Sequence, residues 1–305
     1  MPTYILCPGQ GAQAAGMGKD FYDKFDESRR IFDRANAVMG FDLKSICFNG
    51  PETEINKTNI SQPAIYVTSI ASYAAAEAAG RLPKDDVAYA GLSLGEYTAL
   101  HLAGAFDFET GLKLVKARGE LMQRAAEANP STMVAVMGGD EKQVTELCEQ
   151  AGENDVLVPA NFNAPGQIVV SGTKPACKRF IELANTAGLK FIELPVAGAF
   201  HSPLMESAAV IMKSELDRAS IQMPKSKVFS NVTAQLHTDV ASIKKLLVDQ
   251  IVKPVRWEQT MAQVANVEGN KFIELSPGKV LTGLLRKQNR RAEVLTLSTV
   301  DALTV

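Results

Sequence analysis

The chain is 305 residues long, which at about 150 residues per domain predicts roughly two domains with ample apolar core. Apolar residues make up 46% and charged residues 22%, and 32 basic against 34 acidic side chains leave a net charge of −2. The basic field that nucleic acid or an anionic membrane requires is therefore lacking.

No run of 18 apolar residues predicts a membrane span, and the opening Met1–Pro8 segment lacks the basic region of a signal peptide. Cys7, Cys47, Cys148 and Cys177 fall at no metal-ligand spacing and read as reduced thiols of a cytoplasmic protein, with no metal expected.

In chain order, Thr3–Cys7 reads as a buried strand that runs into the turn Pro8-Gly9-Gln10-Gly11. Amphipathic helices follow over 19–38 and 62–79. Val87–Ala90 reads as a strand entering Gly91-Leu92-Ser93-Leu94-Gly95, with a helix over Glu96–Ala103 and another over 108–128. Such alternation predicts a parallel α/β sheet.

Beyond Asn129-Pro130 the rhythm changes. Strands over 133–137, 156–160, 167–171 and 190–196, with helices over 140–151 and 174–187, give the order βαββαβ, a ferredoxin-like unit. Helix and strand then alternate again: a strand at 228–231, a helix at 240–252, a strand at 271–275, a helix at 279–289 and a strand at 293–297. The simplest organisation is a large domain of residues 1–129 and 198–305, with a small domain of 130–197 inserted. The chain crosses the junction twice and should leave a ligand cleft there. The tetrapeptide Phe-Ile-Glu-Leu recurs at 180, 191 and 272 in different flanks and is no repeat.

Gly91-x-Ser93-x-Gly95 between a strand and a helix is the setting of a nucleophile elbow. Its glycines allow a sharp turn, and the helix N-terminus behind it favours developing negative charge. A serine needs a base, and the chain has three histidines. His101 lies eight residues along the same helix, about 12 Å away along the axis. His237 falls in the polar turn Gln235-Leu236-His237-Thr238-Asp239 and is expected to be solvated. His201, where the inserted unit hands the chain back, is left as the base. Its second ring nitrogen needs an acceptor, and a carbonyl at the helix end before Pro254, such as that of Gln250, could serve.

Arg118 sits within the apolar stripe Leu114, Val115, Leu121 and Met122 of its helix, so it must find an anion. That anion is either an internal carboxylate or the carboxylate of a substrate. Gly9-x-Gly11-x-x-Ala14 loosely fits a dinucleotide fingerprint, without the second strand that such a fold needs. The same loop could instead donate an N–H to an oxyanion hole.

Taken together these motifs resemble the malonyl-CoA:acyl carrier protein transacylase family. The resemblance is carried by Pro8-Gly9-Gln10-Gly11-Ala12-Gln13, Gly91-Leu92-Ser93-Leu94-Gly95-Glu96 and Arg118-Gly119-Glu120-Leu121-Met122-Gln123. It continues through Asn161-Phe162-Asn163-Ala164-Pro165-Gly166-Gln167, Gly198-Ala199-Phe200-His201, Gln250 with Pro254-Val255-Arg256-Trp257, and Ser276-Pro277-Gly278-Lys279-Val280-Leu281. It implies a large α/β-hydrolase-like domain with a parallel sheet and an inserted ferredoxin-like domain.

It further implies Ser93 as the acylated nucleophile, His201 as base and acid, and Gln250 as the carbonyl that orients His201. Gln10 and Leu94 would supply the oxyanion hole. Arg118, Met122, Asn163 and Phe200 would line the substrate, Arg118 gripping the malonyl carboxylate and Phe200 filling the space of an α-methyl. Malonyl-CoA and an acyl carrier protein are the implied partners, with no metal or bound cofactor, and the family is usually monomeric. Two positions depart from the family: Leu92 replaces the usual His and should alter packing beneath the elbow, and Ala12 replaces a frequent Ser.

The same chemistry could feed fatty-acid synthesis or a polyketide synthase that lacks its own acyltransferase. A serine hydrolase of esters or thioesters is the more distant reading. It expects an acid and then a histidine near the C-terminus, whereas no histidine follows His237 and Arg118 would have no purpose. A catalytically silent carrier-binding module would not need both Ser93 and His201. Arg286, Lys287, Arg290 and Arg291 form a basic cluster that reads as a solvated helix end or a patch for an acidic carrier.

Overall fold

The computed structural model describes residues 1–303. Its first part comprises β1 (Thr3–Cys7), α1 (Lys19–Lys24), α2 (Asp26–Met39), α3 (Leu43–Asn49), α4 (Glu52–Ile55), α5 (Thr58–Ala78), β2 (Val87–Gly91), α6 (Gly95–Leu102) and α7 (Phe108–Ala128). A second group follows as β3 (Ser131–Met137), α8 (Glu141–Gly152), β4 (Leu157–Ala164), β5 (Gln167–Thr173), α9 (Lys174–Thr186) and β6 (Lys190–Glu193). The chain returns through α10 (Glu206–Arg218), β7 (Lys227–Val228), α11 (Val240–Val252), α12 (Trp257–Ala262), β8 (Lys271–Glu274), α13 (Val280–Gln288) and β9 (Glu293–Thr296).

Five strands form a parallel sheet in the order β7-β2-β1-β8-β9. Successive side chains of a strand point to opposite faces. Ile5, Cys7, Tyr89 and Ile273 therefore join the core built with α2, α5 and α7, while Leu6, Ala90 and Phe272 join a second core with Trp257 and Leu285. Strands covered on both faces need apolar residues throughout, which is why TYILC and VAYAG show no polar alternation.

The inserted group makes an antiparallel sheet in the order β4-β5-β3-β6, the strand order of a ferredoxin-like unit. Val134, Val136, Ile168 and Val170 face α8 and α9 and form that unit's own core. Met133 and Val169, on the opposite face of the same strands, turn toward the main core and line the cleft between the sheets. One small sheet thus builds its own interior and one wall of the site.

Several predicted elements end differently. The helix expected over 19–38 is two helices, broken at Phe25, whose backbone is extended at φ −121° and ψ 126°. Two short helices, α3 and α4, fill the segment that follows. The strand expected at 228–231 stops at Val228 because Asn231 is drawn to the elbow, and β6 stops at Glu193 so that Leu194–Val196 can line the cleft. All four cysteines are free and buried. Among the described residues no helix is long and apolar enough to cross a membrane, and no cluster of His, Cys, Asp or Glu could hold a metal ion.

Candidate active site

β2 ends in Gly91, α6 begins at Gly95, and Ser93 between them takes a left-handed φ of 52°. Both glycines are required by close approach. A Cβ on Gly91 would lie 2.0 Å from the Gly95 carbonyl group, and one on Gly95 would lie 2.2 Å from the Cys7 carbonyl oxygen. The strained serine is held by Asn231, whose Oδ1 accepts from the Ser93 N–H at 2.6 Å while its Nδ2 donates to the Gly91 carbonyl at 2.7 Å. Asn231 carried no signal in the sequence, since a lone asparagine after a short strand reads as turn.

His201 closes the turn that leaves the inserted unit, and it too has positive φ, 57°. Its Nε2 lies 2.9 Å from Ser93 Oγ and its Nδ1 lies 2.6 Å from the Gln250 carbonyl oxygen. A carbonyl can only accept, so Nδ1 carries the proton and Nε2 presents a lone pair to the serine hydroxyl. The Gln250 carbonyl is free because its partner within α11 would be the N–H of residue 254, which is proline and has none. Burial, and then the charge of Arg118, push the His201 pKa down to about 3, against the raising effect of the Gln250 carbonyl. The imidazole is therefore neutral near pH 7, with its Nε2 lone pair free to accept the serine proton.

Arg118 on α7 is buried, at 1% exposure. Its Nη1 donates to Gln62 Oε1 at 2.7 Å, and its Nη2 donates to Ser93 Oγ at 3.0 Å and to Gln250 Oε1 at 2.9 Å. All three partners are uncharged oxygens, so the internal salt bridge entertained from the sequence is not formed. The Nε has no hydrogen-bond partner among the described residues, and the guanidinium lies 5.7 Å from the centre of the Tyr97 ring. Burial pulls the Arg118 pKa below its ordinary value, with Tyr97 and Glu96 opposing. A buried guanidinium held only by neutral groups beside a serine is poised for an incoming anion.

His237 is not solvated. Its side chain is fully buried and its Nε2 lies 2.8 Å from Glu96 Oε1. Polar residues flank it, but the turn folds back just after β7 through the Phe229–Leu236 bridge and the His237 N–H bond to the Val228 carbonyl, which carries His237 inward. His101 stays away from the serine, with Nδ1 at 3.0 Å from the Phe106 carbonyl. Gln62 and Glu96 also escaped notice. The signal for Glu96 was available, since it is an acid within the apolar helical stretch that follows the elbow.

The acyl transferase domain model matches residues 3–301. A malonyl CoA-acyl carrier protein transacylase of Bacillus subtilis (strain 168) is 39% identical over 301 residues, covering 98% of this chain and 94% of the relative. The chain belongs to the acyl transferase family. A polyketide biosynthesis malonyl CoA-acyl carrier protein transacylase, PksC, of the same organism is 39% identical over 297 residues, covering 97% of this chain and 99% of the relative. The solved malonyl-transacylase PlMCAT in complex with AntF, its type II PKS acyl-carrier protein, superimposes with a TM-score of 0.94 at 33% identity, covering 100% of this chain and 98% of that one.

Serine, histidine and arginine open onto one cavity of ≈ 540 Å³. Gln10, Gln62 and Met122 line it from the large sheet's side, and Asn161, Asn163 and Phe200 from the other. The Gln10 and Leu94 backbone N–H groups donate to no acceptor among the described residues, which leaves both available. Asn163 Oδ1 is buried without a partner, and Met122 Sδ accepts from Gln62 Nε2 at 3.6 Å. Leu92 stands in the cavity wall and packs against the second core. Arg286, Lys287, Arg290 and Arg291 are exposed, and Lys287 reaches Gln167 of the small sheet.

Proposed function

We propose that the protein transfers the malonyl group of malonyl-CoA to the phosphopantetheine thiol of an acyl carrier protein through a malonyl-Ser93 intermediate. The observation that carries this reading is Arg118, a buried cation whose hydrogen-bond partners among the described residues are all neutral, 3.0 Å from the candidate nucleophile. A malonyl carboxylate offers two charged oxygens in place of neutral ones, and the planar guanidinium can grip both in a bidentate pair. The B. subtilis relatives, both named malonyl CoA-acyl carrier protein transacylases, and the PlMCAT complex with its acyl-carrier protein support malonyl and carrier protein as the two partners.

In the first half-reaction Ser93 Oγ attacks the thioester carbonyl and gives its proton to His201 Nε2. The Oγ–C bond forms, the carbonyl oxygen becomes an oxyanion against the Gln10 and Leu94 N–H groups, and the C–S bond then breaks. His201 returns the proton to the departing CoA thiolate. Each oxyanion donor is worth about 3–4 kcal/mol. In the second half-reaction the carrier's thiol loses its proton to His201 and attacks the acyl-serine, and His201 reprotonates Ser93. Asn163 and Met122 bound the acyl pocket, and Phe200 excludes an α-methyl at about 1–3 kcal/mol. The reading needs no metal or bound cofactor. We take residues 130–197 as the inserted domain; the strand limits Ser131 and Glu193 support that division.

Loading of a polyketide synthase carrier by the same steps is a second reading, favoured by the PksC relative. Incubation with malonyl-CoA should give a malonyl adduct in the intact mass, absent from Ser93→Ala. Adding holo acyl carrier proteins of either pathway should then move it to the cognate one. Free malonate without a transferable adduct would instead indicate a hydrolase.

A further inference from the structure

Beneath the elbow lies a buried carboxylate that the acyl-transfer steps do not touch. Glu96, in the first turn of α6, has no side-chain exposure, and neither has His237. Glu96 Oε2 accepts from Gln250 Nε2 at 2.6 Å and from the Asn231 N–H at 3.1 Å. Its Oε1 faces His237 Nε2 at 2.8 Å, and His237 Nδ1 has no partner among the described residues, so the imidazole acts here through Nε2–H alone.

The consequences run through Gln250. Its side-chain amide lies between an anion and a cation: Nε2 donates to Glu96 Oε2 and to the Ser93 carbonyl at 3.0 Å, while Oε1 accepts from Arg118 Nη2 at 2.9 Å. That polarity fixes which end of the amide is oxygen. The same residue's backbone carbonyl receives His201 Nδ1–H at 2.6 Å. Whatever anchors the Gln250 side chain therefore anchors both the acceptor that aims the base and an acceptor that holds Arg118. The carboxylate can anchor it only while its other oxygen is satisfied, because an unpaired charged oxygen on a fully buried side chain carries a heavy desolvation penalty. His237 supplies that bond. It is held in place by its own N–H to the Val228 carbonyl at 3.0 Å, at the end of β7.

We propose that Glu96 and His237 are positioning residues for acyl transfer. Glu96, steadied on Oε1 by His237, locks Gln250 so that its carbonyl aims His201 at Ser93 and its amide oxygen holds Arg118 in line with the cavity. The proposal rests on the acyl-transfer reading above. It also separates two effects that a purely structural pair would not. A variant that merely folds less well loses malonyl and acetyl loading in equal proportion. Loss of positioning weakens both through His201, and weakens malonyl loading further through Arg118.

The test is single-turnover loading of Ser93 from malonyl-CoA and from acetyl-CoA, read by intact mass and normalised to folded protein by circular dichroism. Wild type, Ser93→Ala, His237→Leu, His237→Gln and Glu96→Gln run side by side. A small misplacement of catalytic groups can cost about 100-fold. His237→Leu is expected to lose about 100-fold in malonyl loading and about tenfold in acetyl loading, so the ratio of the two falls about tenfold. His237→Gln, whose amide can donate from near the position of Nε2, should stay within about threefold of wild type.

If His237→Leu does not fold, Glu96→Gln carries the test, because it keeps the size but sets a donor against a donor; the same fall in ratio is expected. Folded variants with an unchanged ratio, or a His237→Gln protein as impaired as His237→Leu, would overturn the proposal. Wild type that never loads malonyl is a different result, and removes the acyl-transfer reading together with this inference.

Discussion

Two strand–turn–helix units flank β1, and they treat the start of their helices in opposite ways. After β8, the Glu274 carboxylate accepts from the Leu281 N–H at 2.8 Å, the Thr282 N–H at 2.7 Å and Thr282 Oγ1 at 2.5 Å. The positive end of α13 is filled by the chain's own anion. After β2, the turn brings an alcohol to the corresponding place and leaves the Leu94 N–H without an acceptor. Helix N-termini attract negative charge wherever it arises. One unit uses that attraction to fasten the fold, and the other leaves a donor open, as the proposed acyl transfer would require for charge that arises only during reaction.

The most severe way to break this contrast is Gly91→Ala. Its Cβ would sit 2.0 Å from the Gly95 carbonyl group, so the turn must open and Ser93 must leave His201. Malonyl loading by intact mass should fall by at least about 100-fold.

Arg118→Ala comes next, because on the proposed reading it removes the cation that would select an anionic acyl group. A broken buried pair costs about 3–5 kcal/mol, so malonyl loading should fall by more than about 100-fold while acetyl loading is kept. The same variant sharpens a second point. Arg118 helps to depress the His201 pKa, so the acid limb of kcat/KM for an uncharged acyl-CoA should lie below the ordinary histidine range in wild type. It should move up toward that range in the variant.

The smallest expected effect falls on the closed unit. Glu274→Gln turns one accepting oxygen into a donor that faces other donors. Urea unfolding should show a loss of about 1–3 kcal/mol with the loading rate unchanged.

Much of this was legible in the sequence because it depends on local rules. The elbow is a local pattern of glycines between strand and helix. The arginine stood out because a charge broke an apolar stripe, and His201 followed from elimination among three histidines. The inserted unit showed in its βαββαβ rhythm. What stayed hidden is what depends on contacts distant in sequence. Asn231 meets Ser93 across 138 positions and His237 meets Glu96 across 141, and the residues flanking His237 look like a solvated turn. Propensity alone decides little here. The tetrapeptide Phe-Ile-Glu-Leu is helix within α9 at 180 but strand at 191 and 272, with only its last residue outside the strand in those two copies.

The four buried cysteines acquire a meaning once both leaving group and second nucleophile are thiols. An acyl-serine waiting for a carrier is an activated ester, and a thiolate within reach would capture the acyl group by transthioesterification and hold it as a dead-end thioester. Burial pushes the Cys47 thiol up to about 12 and Cys177 up to about 11, and raises Cys7 and Cys148 as well. None of the four borders the cavity that holds Ser93, although Cys7 ends the strand against which the elbow rests. The protein thus favours chemoselectivity by exclusion: among the described residues the only sulfurs lining the cavity are thioethers such as that of Met122, so a thiol reaches the acyl-enzyme only on the molecules that bring it.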